Sequence, residues 1–333
     1  MSKENVLTFV GDVFYPEDTG ERFSAKNIVY NQEFVVSKDS RLKPSVNKVN
    51  LKCSSDMAGL LFENTEKRYA CTANNHIFDY GEEGFRQTIQ SLSENGVNCF
   101  GEGLSDIAVF ELSGIKFSLL GYFMEAFCRT EQIDQKKAQL RKDIEAAKQK
   151  GAERIVVNFH FGNEHYPSSS IQQRKIAQAA IDEGADLVIG HHPHCIQEKE
   201  NYKGKWIYYS LGNFIFPNFA CDAFFNESGI SQARFNWKNT FWTRDFIVVE
   251  YDLKNNETVE MVCRWTRKGI KRINRRRIDV RDTDFKNQLI GEVRKLILLF
   301  YWNINVNGKL IDFSGIKQKI VSVMKNNRLF KRK

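Results

Sequence analysis

Five short apolar runs in this chain each end on residues that can bind a ligand, and that repetition restricts the folds open to it. Val6 to Val10 runs into Gly11-Asp12, and Arg68 to Ala73 into Asn74-Asn75-His76. Arg154 to Phe159 runs into His160, Asp186 to Ile189 into Gly190 and a group of histidines, and Trp206 to Leu211 into Gly212-Asn213. Runs of this length read as buried strands. Between them the spacing turns helical. Phe85, Ile89 and Leu92 stand at i, i+4 and i+7 before Gly96. Ile133, Leu140 and Ile144 mark a Lys/Glu/Gln/Ala-rich stretch from Thr130 to Lys150 closed by Gly151. A third helix, Ile171 to Glu183, is stopped by Gly184. The alternation predicts an α/β fold with a substantial sheet. In such folds ligands gather beyond the carboxyl ends of the strands, so these sequence-distant tips are expected to build one site. Residues 13–45, with Pro16, Gly20 and Pro44, read as a loop or insertion. Val46 to Cys53 and Lys116 to Tyr122 read as further strands, and Phe246 to Leu253 with Thr258 to Trp265 as a hairpin around Asn255-Asn256. From about Asp284 the chain reads as helices with a basic tail.

The histidines sharpen this reading. All six lie between residues 76 and 194, and five fall between 160 and 194. Asp12 offers an anionic oxygen, Asn75 an amide oxygen, and His76, His160, His192 and His194 offer ring nitrogens. A mixture of this kind suits Zn²⁺, Mn²⁺ or Fe better than Mg²⁺ or Ca²⁺, which prefer oxygen shells. Two such ions roughly 4 Å apart can activate a water and clamp a phosphoryl-type transition state. A lone histidine is more often a core or turn residue. Confinement of all six to strand ends is what weighs against that reading here.

The 333 residues allow one large domain or two ordinary ones. No apolar run approaches the roughly 18 residues of a membrane-spanning helix. No apolar stretch of signal-peptide length precedes the first strand, so a cytoplasmic protein is expected. Seven cysteines without a CxxC pair fit reduced thiols rather than a disulfide framework. The net charge of +8 conceals an asymmetry. Residues 264–333 carry 20 Lys+Arg and 5 Asp+Glu, whereas the preceding 263 carry 29 and 36. A body at 1–263 and a basic, partly helical extension at 264–333 are therefore expected. Arg264, Arg267, Lys268, Lys271, Arg272, Arg275, Arg276 and Arg277 fall within 14 residues that hold no acid. This run is either a solvated face or a surface for a polyanion, and anionic lipid attracts such residues by about 1 kcal/mol each. Nucleic acid is the least favoured partner, because no helix-turn-helix, RNP-like or zinc-finger pattern is present.

Taken together, FVGD, NNHIFDYGEEG, HFGNEHYP, GHHPHCIQ and YSLGNFIF resemble the motifs of the CapA family of bacterial capsule synthesis proteins. The five blocks run in order from about Val6 to Phe216. The resemblance implies a calcineurin-like metallophosphoesterase fold, a four-layer α/β/β/α sandwich with a metal site at one edge. It also implies a role in poly-γ-glutamate capsule production. By the same resemblance Asp12, Asn75, His76, His160, His192 and His194 are carried over as ligands of one or two divalent ions. Glu164 matches the acid of the HxGxE block, and Asn213 the SLGNF block.

One stretch departs from the family. The stretch matching its N-L-E block reads Asn50-Leu51-Lys52, which puts an ammonium where a carboxylate belongs. Several readings follow: a site with one metal or none, Lys52 binding an anionic substrate directly, Asp56 or Glu63 supplying the carboxylate, or an offset alignment. Asp79 is read either as an acid/base group or, slightly preferred, as a helix cap. His191 is read as an orienting or proton-transfer residue beside Glu164, and Asn213 as a substrate contact. His165 is expected to be exposed and idle, and Cys195 to be a buried inert thiol. Trp237, Phe241 and Trp242 form either a substrate platform or strand packing. The expected function is a metal-dependent hydrolase acting in capsule or surface-polymer synthesis on an anionic polymer or phosphorylated substrate, with peripheral contact to the inner membrane surface. The alternative is a non-catalytic relative that binds an acidic polymer, an anionic membrane surface or a synthase.

Overall fold

A computed structural model describes residues 3–18, 20, 22–46, 48–54, 61–101, 103–104, 107–125, 130–224, 232–266, 269–273, 290–294, 305–306 and 309–310. The first sheet is built on four parallel strands: β1 (Val6–Val13), β2 (Asn27–Gln32), β5 (Lys67–Cys71) and β6 (Val97–Phe100). On the other side of β1 it continues antiparallel through β16 (Asp245–Asp252), β17 (Glu257–Thr266) and β18 (Gly269–Arg272). The short β3 (Val35–Val36) and β4 (Lys52–Cys53) pair beside this sheet. The second sheet runs β11 (Lys199–Tyr202), β12 (Lys205–Tyr208), β10 (Leu187–His191), β9 (Arg154–His160), β8 (Ile115–Phe123) and β7 (Val109–Leu112). Its four central strands are parallel and its two edges antiparallel. A third sheet contains β14 (Phe219–Phe224) and β15 (Gln232–Trp237), extended by β19 (Asn305–Val306) and β20 (Lys309–Leu310).

Side-chain alternation sorts the core. On β8, Leu119 joins an apolar cluster with Leu7 and Phe9 of β1 and Val156 and Ile189 of the second sheet. The next residue, Leu120, points the other way, into a cluster with Val157, Phe159 and the helical residues Leu140, Ile144, Ile176 and Ala180. Those helices are α2 (Thr130–Gln149) and α3 (Ile171–Glu183). Ser170 opens α3 with a capping box completed by Gln173, and Gly184 at φ 116° closes it. Another helix, α1 (Gly81–Glu94), follows β5.

Two expectations need correction. Residues 27–32, inside the presumed loop of 13–45, form β2, a parallel neighbour of β1. The strand escaped notice because Ile28, Val29 and Tyr30 are flanked by Asn27, Asn31 and Gln32, which are polar yet buried. Conversely, of the strand expected over Val46 to Cys53 only Lys52–Cys53 forms. Five of the eight basic residues at 264–277, and most of the segment from Asp284 expected to be helical, lie outside the described residues. Within that segment residues 290–294 are helical as expected, whereas Asn305–Val306 and Lys309–Leu310 are strands.

Where β1 nears the site its ladder with β2 shifts register between Phe9 and Asp12. Here β13 (Asn213–Ile215) joins β1 in parallel. Contact this close requires glycine. A Cβ on Gly11 would lie 1.8 Å from the carbonyl oxygen of Gly212, a backbone atom that cannot step aside. Gly11→Ala is expected to cost about 3 kcal/mol or more, at or beyond the upper end of ordinary core overpacking. An unchanged melting temperature would refute the close approach.

Candidate metal centre

Register brings the strand tips together. Asp12 is aligned with Asn31 on β2 and with Asn213 on β13, while His160 on β9 is aligned with His191 on β10. Beyond β10 the chain turns through His192 (φ 95°) and His194 (φ 52°). Left-handed backbone at a non-glycine residue costs about 1–3 kcal/mol and persists where surrounding structure enforces it. His194 Nδ1 lies 2.8 Å from Asn213 Oδ1 and 3.5 Å from an Asp12 oxygen. The His192 backbone N–H donates to Asp12 Oδ2 at 3.3 Å, and its ring centre is 4.6 Å from that of His160. His160 Nε2 is 2.7 Å from Asn75 Oδ1. Five of the six residues expected as ligands thus meet at one place.

The carboxylate at the centre is one the sequence reading passed over. Glu33 follows β2 directly, is fully buried, and neither of its oxygens has a hydrogen-bond partner. Its Oε1 is 3.6 Å from His194 Nε2 and 3.9 Å from His160 Nε2. Two groups of potential ligands, Glu33–His160–His192 and Asp12–Glu33–His194, each have their donor atoms within 4.8 Å of one another. Glu33 belongs to both. A buried carboxylate without a proton donor, facing imidazoles, is a costly arrangement that a divalent cation would relieve. The residues fit one or two ions, with Glu33 placed to be shared.

Lys52, by contrast, is elsewhere. Its ammonium donates to the carbonyl of Asp39 at 3.1 Å and sits 4.9 Å from the centre of the Tyr80 ring. Asn31-Gln32-Glu33 instead places a carboxylate two residues after an asparagine at the centre, which favours the reading of Asn50-Leu51-Lys52 as an offset alignment. Glu63 is exposed and paired with Arg22, and Asp56 lies outside the described residues. Lys52→Glu is therefore expected to leave the metal content per chain unchanged, as elemental analysis would check.

Asp79 is not a helix cap. The N-cap of α1 is Tyr80, with no side-chain capping bond. Instead Asp79 Oδ2 lies 2.8 Å from His76 Nδ1 and accepts the Leu51 N–H at 2.6 Å. Lys48, also unanticipated, ion-pairs with Asp79 Oδ1 and donates to the carbonyl of Asn75. His76 is in neither ligand group. His191 is buried with Nδ1 3.3 Å from Asp12, the position of an orienting neighbour. His165, expected to be exposed, is buried 4.0 Å from Glu164. Cys195 is buried as expected, its thiol donating to the carbonyl of Tyr166. Trp237 packs against His194 and Phe216, Trp242 is buried, and Phe241 alone of the three is exposed.

The electrostatics suit a cation. Burial drives His160 well below its ordinary 6.5, and the neighbouring His192, His191, His194 and His76 add to the shift. Burial likewise brings His192 to about 4, although Glu164 and Asp12 oppose it. Both rings are therefore neutral, the form that ligates. Burial alone would raise Glu164, but His192, His194, His165 and His76 hold it at about 2. Burial also works to raise Asp12, whose hydrogen bond and charge interaction with His191, together with His194 and Asn31, bring it below 3.8. Glu33 moves the other way. Burial, then Asp12, Glu164 and Asp79, push it well above 4.5, with Lys48 opposing.

The sign of the pH dependence follows from Glu33. In the metal-free protein its raised value stabilises the fold fully below the unfolded value near 4.5, and that contribution is lost as pH rises through the folded value. A cation requires the deprotonated form, so metal affinity should rise with pH through the same range and binding should release a proton. Titration calorimetry in buffers of different ionisation enthalpy measures this release. A Glu33→Gln variant releasing as many protons as the wild type would contradict the assignment.

A family model described as bacterial capsule synthesis protein PGA_cap matches residues 22–218. Capsule biosynthesis protein CapA of Bacillus anthracis is 32% identical over 201 residues, covering 56% of this chain and 44% of the relative. PGA biosynthesis protein CapA of Bacillus subtilis (strain 168) is 27% identical over 267 residues, covering 77% and 63%. A probable polyglutamine synthesis accessory protein of Mycobacterium tuberculosis is 24% identical over 170 residues, 43% of either chain. The chain thus spans less than two thirds of the length of each of these relatives.

Proposed function

This chain belongs to the PGA_cap family of bacterial capsule synthesis proteins, a metallophosphoesterase-like family, and from that premise we propose that it is a metal-dependent hydrolase acting in poly-γ-glutamate capsule synthesis. The observation that carries the reading is Glu33, a buried carboxylate with no proton donor that is common to two ligand groups. The implied four-layer α/β/β/α sandwich is part of the proposal. It is supported by one apolar cluster that draws on both large sheets and another that joins the second sheet to α2 and α3.

Asp12, Glu33, His160, His192 and His194 would hold the ions, with the amide oxygen of Asn75 beside His160. Divalent ions in such a setting polarise the bond to be cleaved and acidify a water. The chain's own residues do the rest. Asn213 accepts from His194 Nδ1, which leaves Nε2 as the ligating nitrogen. His191 and Asn31 fix Asp12, and Asn31 Nδ2 also lies 3.2 Å from His160 Nδ1. Asp79 holds the His76 ring by Nδ1, which leaves Nε2 as the nitrogen that passes a proton to a leaving group. Lys48 pins Asp79 and offers the site's edge a positive charge. Glu164, ionised beside the histidines, is a second candidate for proton transfer.

The non-catalytic alternative drew its support from a lysine in the carboxylate position, and the buried Glu33 among the histidines weighs against it. The anionic partner and the peripheral site on the cytoplasmic membrane surface belong to the same proposal. They are supported by the exposed Lys271 and Arg272 on β18. The test uses the full chain stripped by chelator and reloaded with Mn²⁺ or Zn²⁺. A panel of phosphomonoesters, phosphodiesters and γ-glutamyl amides should include at least one substrate hydrolysed only by the reloaded protein. Failure to retain metal, or no turnover of any member when loaded, would overturn the reading.

A further inference from the structure

Adjoining the candidate centre, and lined in part by the Asn213 that holds His194, lies a cavity of about 220 Å³. Its walls are largely apolar, formed by Ile215, Phe216, Pro217 and the indole of Trp265. The polar groups lining it divide into committed and free. Asn239 donates to the carbonyl of Phe216 and accepts from Thr243, and the Trp265 N–H donates to the carbonyl of Phe214. Two groups have no partner. One is Nδ2 of Asn213, a side chain only 1% exposed whose oxygen is occupied by His194. The other is the guanidinium of Arg244, which is exposed and makes no ion pair or hydrogen bond among the described residues. The adjacent Arg264 is by contrast held by both oxygens of Asp245.

Both free groups are donors, one deep in the pocket and one at its mouth. A buried amide N–H without an acceptor is costly, and a ligand carbonyl is what would satisfy it. An unpaired guanidinium favours a carboxylate, which it can engage by two parallel bonds. The walls between them favour an apolar body. We propose that this cavity is a binding site for an acylated carboxylate, with its anionic end on Arg244, its carbonyl oxygen on Asn213 Nδ2 and its apolar body against Ile215 and Trp265. Because Asn213 also holds His194 Nδ1, an occupant would steady the orientation of a candidate metal ligand. The binding itself requires neither metal nor hydrolysis, so it stands apart from the reading above.

The experiment is calorimetric titration of the full chain with N-benzoylglycine, in parallel with its neutral amide and with benzylamine. The carboxylate should bind at least about tenfold more tightly than either control, since an ionic hydrogen-bonded contact supplies roughly that much. Arg244→Gln, a surface change, should weaken it by a similar factor, and Ile215→Trp, which fills the cavity, should abolish binding. Each titration is repeated with EDTA. Affinity that survives chelation and falls in both variants supports the proposal. Equal affinity for the three compounds, indifference to Arg244→Gln, or binding that disappears with the metal would overturn it, the last because the carboxylate would then be sitting on the ions.

Discussion

Replacing Glu33 with glutamine should empty the metal centre. Glutamine keeps the volume but not the charge, and Glu33 is common to both ligand groups. Loss of one carboxylate ligand from a shared position should lower affinity for both ions by a factor on the order of 100 or more, above the 10–100-fold typical of residues that only support a ligand. Elemental analysis of the purified variant should find less than half of the wild-type metal, and activity under the panel above should fall with it. The variant should nonetheless fold. The wild-type carboxyl is buried without a donor and driven toward its neutral form, so a neutral amide relieves an existing conflict. A thermal transition at or above that of the metal-free wild type is the expected companion result. Full metal occupancy in a folded variant would remove Glu33 from the centre and the two-ion reading with it.

The second large effect is expected at His76 and Asp79, with the opposite signature. His76 lies outside both ligand groups and is tied to Asp79. His76→Ala should keep its metal and lose about 10²–10⁴-fold in kcat for substrates with poor leaving groups, the usual contribution of a positioned acid. Substrates whose leaving group needs no proton should be far less affected. Asp79→Asn should show the same pattern more weakly, because the amide oxygen can still accept from Nδ1 and hold the ring. Asp79 also holds the Leu51 backbone and Lys48, so some loss of stability should accompany it. If His76→Ala loses metal in proportion to activity, His76 is a ligand and the proton-transfer role fails.

How far the site was legible in the sequence depends on the residue. Asp12, Asn75, His160, His192 and His194 stand after apolar runs, where the end of a strand is easy to see. Glu33 follows the same rule, since Ile28, Val29 and Tyr30 precede Asn31-Gln32-Glu33. It was missed because the strand is short and its flanks are polar, and because burial of Asn27, Asn31 and Gln32 is decided by partners elsewhere. Asn27 Nδ2 donates to the carbonyl of Val6, and Asn31 Nδ2 to Asp12. Lys48 and the true partner of Asp79 were hidden for a related reason. Asp next to a helix start is a good local cap, but here it is taken by His76, Leu51 and Lys48.

The sequence by itself determined that strands alternate with helices, that their tips carry nitrogen and oxygen ligands, and that the blocks follow a known family order. These are properties of neighbouring residues, set by side-chain period, by strand and helix length and by stop signals such as Gly184 at φ 116°. Only the tertiary structure decided which carboxylate stands among the histidines, which lysine reaches the site and which histidines are buried. Those outcomes depend on register between strands far apart in the chain. Asp12 meets Asn31 and Asn213 across β1, and the second sheet delivers His160 and His191 side by side. A one-residue slip in any ladder would send these side chains to the opposite face, and no local feature of the chain records which register the packed core selects.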